Sequence, residues 1–150
     1  MNSQWSTDTV AQRERFDFWR NAISSAFVPL EPSPFRGATA PGDFEGTILG
    51  VHMPSLRIST IAADGHEVSL TRSGIARQKG SPFFVNLLRQ GTVHVTQYGE
   101  RATAAPGDIY VVDSAAPWSV SFNEPFEMFC IEISEDALRP RLGAMGRLPS

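Results

Sequence analysis

Phe83-Phe84-Val85-Asn86-Leu87-Leu88-Arg89-Gln90-Gly91-Thr92-Val93-His94-Val95-Thr96-Gln97-Tyr98-Gly99-Glu100 is the stretch that decides the fold. Two runs rich in β-branched and aromatic residues, 83–89 and 92–98, flank Gln90-Gly91, a tight hairpin turn. Tyr98-Gly99-Glu100 marks the next turn. Side chains alternate between the two faces of a strand, so Phe84, Asn86 and Leu88 share one face, and His94, Thr96 and Tyr98 share another. Alternation alone does not say which face points inward. An amide such as Asn86 among apolar neighbours is costly to bury unless the protein or a ligand hydrogen-bonds it.

Working outward, similar short segments lie near 44–51, 56–63, 66–72, 101–104, 108–112, 117–122 and 126–133, with a turn at Asn123-Glu124-Pro125. A spacing of roughly ten residues per strand predicts an antiparallel sandwich or barrel, not alternating strands and helices. Pro106-Gly107-Asp108 makes a tight turn into a buried strand that ends at Asp113, and Ser114-Ala115-Ala116-Pro117 places Trp118 at the start of the next. Before the strands, 9–27 reads as a helix. Thr9 and Gln12 fit a capping box, and Phe16, Trp19, Ile23 and Phe27 recur as an apolar stripe opposite Arg13, Glu14, Asp17 and Arg20. Pro29, Pro32 and Pro34 make 28–43 an extended linker. After the last strand, Ser134 with Glu135 and Asp136 caps a short C-terminal helical region, 134–150. The expectation is one domain over 1–150: mainly β, with a helix at each end.

The composition narrows the function. With 41% hydrophobic residues and ten Phe, the 150-residue chain has material for one core. A net charge of −3 is not that of a free-standing nucleic-acid binder, whose affinity draws on phosphate neutralisation. Cys130 is the only cysteine, which excludes an internal disulfide or a paired-Cys zinc site; within Phe129-Cys130-Ile131 it reads as a small buried hydrophobe. The N-terminus lacks a signal peptide's basic start and apolar run, and no stretch approaches a membrane span, so the cytoplasm is expected.

Catalytic and metal signatures are missing. His52, His66 and His94 form no His-x-His pair, so no metal and no cofactor is expected, and each reads as a hydrogen-bonded wall or turn residue. Neither a Gly-x-Ser-x-Gly elbow nor a Gly-rich strand–helix loop occurs. Arg72, Arg77 and Lys79 concentrate basic charge, either an anion fork or a solvated edge.

Gly91 through Gln97, Tyr98-Gly99, Pro106-Gly107-Asp108, Asp113 and Pro117, in this order and spacing, resemble the cupin-like sensor domain of AraC-family transcription regulators. Arg15-Phe16-Asp17-Phe18-Trp19 in the leading helix resembles one subgroup, and the likeness runs over about residues 10–142. Where metal cupins place a histidine, this chain has Trp118, whose face can stack on a ligand. The resemblance implies a module that responds to a small molecule held in the barrel. It also implies a homodimer, and DNA binding by a C-terminal helix-turn-helix domain absent from this chain. Arg72, Asn86, His94, Tyr98, Tyr110 and Trp118 are the ligand-binding candidates, with no catalytic residue expected. Two alternatives are a non-metal cupin isomerase or epimerase using His94 with Tyr98 or Tyr110, and a structural dimerisation domain whose barrel is filled by its own Phe and Trp side chains.

Overall fold

The computed structural model describes residues 2–34, 43–54 and 56–138. Its strands are β1 (Asn2–Ser6), β2 (Glu31–Ser33), β3 (Gly46–His52), β4 (Leu56–Ala63), β5 (Glu67–Leu70), β6 (Phe83–Gln90), β7 (Val93–Gln97), β8 (Glu100–Ala104), β9 (Ile109–Asp113), β10 (Trp118–Phe122) and β11 (Phe126–Ile133). The helices are α1 (Arg15–Ala26) and α2 (Arg72–Arg77), and residues 135–138 form a last helical turn. One sheet has the order β1-β3-β4-β11-β6-β9 and the other β2-β5-β10-β7-β8. Every pairing between neighbouring strands is antiparallel. This is the expected mainly β, two-sheet architecture with a helix before it and a short one after it.

The turns work as their residues require. Tyr98 and Gly99 both have positive φ, 55° and 74°, and join β7 to β8 as a two-residue hairpin whose twist suits the flanking strands. In Ala105-Pro106-Gly107-Asp108 the Asp108 amide donates to the Ala105 carbonyl at 2.9 Å, with Gly107 at φ 95°. The Asp108 carboxylate accepts from the Ala105 amide at 2.9 Å, which closes the turn from both sides.

Three details depart from the sequence reading. The α-helix starts at Arg15, six residues late, after 3-10 turns at Thr7–Thr9 and Gln12–Glu14. The Thr9–Gln12 capping box does not form, because the Thr9 hydroxyl donates back to the Ser6 carbonyl instead. Arg72 leaves the strand that was to carry it, since Thr71 caps α2 by accepting the Gly74 amide at 3.1 Å. Within the linker, Glu31–Ser33 pairs with β5 as an edge strand, a position that tolerates Pro32. The remainder of that linker, 35–42, and residues 139–150 of the C-terminal region lie outside the described residues.

Helix α1 closes the barrel through Trp19. Its ring lies so close to β3 that a Cβ on Gly46 would come within 2.6 Å of it. Phe16, Trp19, Ile23 and Ala26 are buried against the sheets as the apolar stripe requires. The stripe's last member, Phe27, is only half-buried at the helix end.

Candidate functional site

The inner faces of both sheets and the inner side of α1 enclose a cavity of about 50 Å³. Phe84, Asn86, Tyr110, Trp118, Cys130 and Phe27 are among its lining side chains. The alternation along β6 explains the placement: Phe84, Asn86 and Leu88 point inward and are buried. Asn86 sits opposite Cys130 on β11 and Tyr110 on β9, so a polar row crosses the six-stranded sheet.

Three of the six candidates thus share the cavity wall: Asn86, Tyr110 and Trp118. The other three stand outside. On β7 the inward side chains are Val93 and Val95, which puts His94 on the outer face, where its Nδ1 meets the Thr103 hydroxyl at 3.0 Å. Tyr98, in the hairpin turn, is 56% exposed and donates to Asp113 Oδ2 at 3.2 Å. Arg72 is exposed on α2. His94 and Thr96 do share a face of β7, but it is the outer one, and Tyr98 lies beyond the strand in the turn. His94 and Tyr110 therefore lie on opposite sides of the barrel wall, and no acid–base pair forms from them.

Sequence reasoning missed His66. It is fully buried in the turn between β4 and β5 and lines the cavity, a hydrogen-bonded wall position as expected, though it was not among the ligand-binding candidates. Trp19 Nε1 donates to His66 Nε2 at 3.0 Å, and Nδ1 lies 2.9 Å from the Asp64 carbonyl, so the neutral tautomer protonated on Nδ1 satisfies both nitrogens. Phe16, Trp19 and Phe44 set their ring edges against it. Burial pushes its pKa down to about 4. The local signal was only that His66 follows Gly65 and precedes Glu-Val-Ser-Leu, at a strand entrance; its helix partner lies 47 positions away.

Burial also pushes the Tyr110 phenol and the Cys130 thiol far above their ordinary ranges, and the proximity of each to another acidic group adds to that. With His66 neutral and no Lys, Arg, Asp or Glu among the described residues of its wall, these residues bring no charge to the cavity at neutral pH. Tyr110 donates to Met128 Sδ at 3.3 Å and Trp118 Nε1 to the Ser114 hydroxyl at 3.3 Å. Asn86 is served worst. It is 3% exposed, its one bond is a long 3.4 Å from Nδ2 to the Phe84 carbonyl, and Oδ1 accepts none among the described residues.

A second, larger hollow of about 830 Å³ opens at one end of the barrel. Arg57, Arg77, Lys79, Glu132 and Asp136 line it together with Phe27, which also lines the inner cavity. Among the described residues no three His, Cys, Asp or Glu side chains group where they could hold a metal, and no helix is long and apolar enough to cross a membrane.

Residues 19–150 match the AraC-binding-like domain model. The chain belongs to that family. It is 32% identical over 127 residues to the transcriptional activator NphR of Rhodococcus sp., covering 83% of this chain and 36% of that protein. It is 28% identical over 144 residues to the uncharacterized protein in the nit 5′ region of Bacillus sp. (strain OxB-1), covering 96% and 54%. The crystal structure of the AraC-like transcriptional activator CuxR superposes with a TM-score of 0.83 at 14% identity, covering 95% of this chain and 51% of that one. The chain thus spans about half or less of the length of these relatives, and the structural likeness speaks for the fold.

Family membership gives new meaning to the residues that carried the resemblance. Gln97 Nε2 donates to the Asp113 carbonyl at 2.7 Å and the Ala116 carbonyl at 3.2 Å, while its Oε1 accepts the Asp113 amide at 3.0 Å. β7 and β9 belong to different sheets, so this amide clamps one sheet to the other. Asp113 Oδ1 then accepts the Ala115 amide at 2.9 Å and shapes the turn toward Trp118. In this chain, the residues that carried the resemblance close the barrel.

Proposed function

We propose that this chain is the effector-binding module of an AraC-type transcription regulator, working in the cytoplasm as a homodimer and reaching DNA through a helix-turn-helix domain elsewhere in the regulator. The observation that carries the reading is the composition of the cavity wall: α1, the segment after it and both sheets all contribute. Trp19, Ile23, Phe27 and Leu30 would have to repack around a guest, so occupancy and the seating of α1 are one equilibrium. A ligand with different affinities for the two seatings shifts it. Asn86, Tyr110 and Trp118 are the proposed contacts; Arg72, His94 and Tyr98 are not.

A small-molecule library screened by thermal shift tests this. A binder at about a hundred times its Kd stabilises by about 2.7 kcal/mol, a readable rise in Tm. A screen with no shift, alongside a crystal structure of a fully packed interior, refutes it.

One observation favours a second reading, a structural dimerisation module. The cavity of about 50 Å³ is about a third of an engineered cavity that admits benzene, roughly 150 Å³. Under that reading sedimentation shows a dimer whose stability no compound alters.

A further inference from the structure

We propose that the barrel interior takes a neutral, largely apolar guest that donates a hydrogen bond to Asn86 Oδ1, and that this guest enters from the outer cleft past Phe27. The proposal rests on the effector-binding reading and names the chemistry of that same site.

Charge is excluded first. Among the described residues the lining holds no cation to pair with a carboxylate or phosphate and no acid to pair with an amine. Burying an unpaired charge there is prohibitive, whereas Trp, Phe, Ile, Val and Met side chains suit a hydrocarbon body. The demand for a donor follows from the amide. A native interior rarely leaves a buried carboxamide with a single weak bond. Leucine matches Asn86 in branching and in number of heavy atoms without a polar group to satisfy, and among the described residues no backbone group depends on Oδ1. Tyr110 and Trp118, which share the cavity wall, already spend their donors on Met128 and Ser114, so neither serves that oxygen.

The route follows from Phe27. This side chain lines both the inner cavity and the outer cleft. Its ring meets Phe84 edge-on at 5.8 Å, and Phe84 meets Trp118 at 6.2 Å. Phe27 is the C-cap of α1, where helical constraint ends, and it is only half-buried. Swinging it outward joins the two spaces and enlarges a cavity otherwise too small for a ring.

Calorimetric titration of the whole chain with phenol, toluene, benzoate and benzylamine tests the chemistry. Phenol is expected to bind on the order of tenfold tighter than toluene, one hydrogen bond's worth, and tighter still than the two ions. Asn86→Leu should abolish the preference for phenol over toluene, keep toluene binding and raise the Tm of the unliganded protein. If that variant fails to fold, Asn86→Ala serves for the preference. Phe27→Ala should speed phenol association in stopped-flow tryptophan fluorescence. Benzoate or benzylamine binding as tightly as phenol, or an unchanged preference in both Asn86 variants, overturns the proposed chemistry while leaving a barrel that binds. Unchanged association in Phe27→Ala overturns the route. If none of the four compounds binds wild type or Phe27→Ala, the proposed guest chemistry is overturned, while the effector-binding reading stands or falls by the library screen.

Discussion

His66 and Asn86 line the same cavity, are equally buried, and are treated in opposite ways. Around His66 both ring nitrogens are bonded, and five aromatic rings pack within 6.5 Å, centroid to centroid. Around the Asn86 side chain a single 3.4 Å bond is all the described residues offer. Around His66 the barrel is finished, because both ring nitrogens have their partners and aromatic rings surround the imidazole. The Asn86 end is chemically incomplete. A fold that can satisfy a buried imidazole from a helix 47 positions away in sequence leaves a carboxamide short on a β-strand, where stability alone would favour leucine.

The comparison breaks most visibly at Trp19. Trp19→Ala empties the finished end and orphans His66 Nε2, so we expect a loss of about 5 kcal/mol in denaturant unfolding, cavity and unpaired acceptor together. A loss near 1 kcal/mol would mean that the two ends are equally loose.

Acid probes the same end less drastically. In the unfolded chain the imidazole titrates near 6.5 and in the fold near 4. Between those values the unfolded state binds the extra proton, so stability is full above pH 6.5 and falls as the pH drops toward 4. The gap amounts to roughly 3 kcal/mol. Burial raises the Glu132 carboxyl, which acts with the opposite sign. The difference between wild type and His66→Gln, measured as Tm across this window, therefore isolates the imidazole, and parallel curves would contradict the assignment.

The sequence shows the shell of the barrel better than its contents. Strands such as Leu56–Ala63 and Phe126–Ile133 alternate cleanly, and their bounds in the structure coincide with those read from the residues. β1 escaped notice because Asn2–Ser6 carries only one large apolar residue, Trp5, and is held by pairing with β3. α2 escaped because six residues with a central Gly74 carry too little periodicity; the glycine is there because a Cβ would meet the Pro29 carbonyl at 2.5 Å. For the site, Asn86 stood out as a polar residue amid apolar neighbours. His94 and Tyr98 shared a face with each other, and nothing local said which way it pointed. That was decided by Val93 and Val95, whose burial is a property of the closed barrel. The Trp19–His66 bond spans helix and sheet and has no local signature at all.

The smallest expected effect is the cleanest control. His94→Ala and Tyr98→Phe remove a histidine and a hydroxyl that a strand-by-strand reading makes as promising as Asn86. Each, however, gives up an interaction made at the surface, where water replaces the lost partner. Such substitutions usually stay within about 0.5 kcal/mol in chemical denaturation, and phenol affinity should not change. A matching response from His94→Ala and Asn86→Leu would show that the outer face communicates with the cavity. A silent His94 beside a responsive Asn86 would show that direction relative to the barrel wall, more than residue type, decides which polar side chain on these two adjacent stretches can meet a guest.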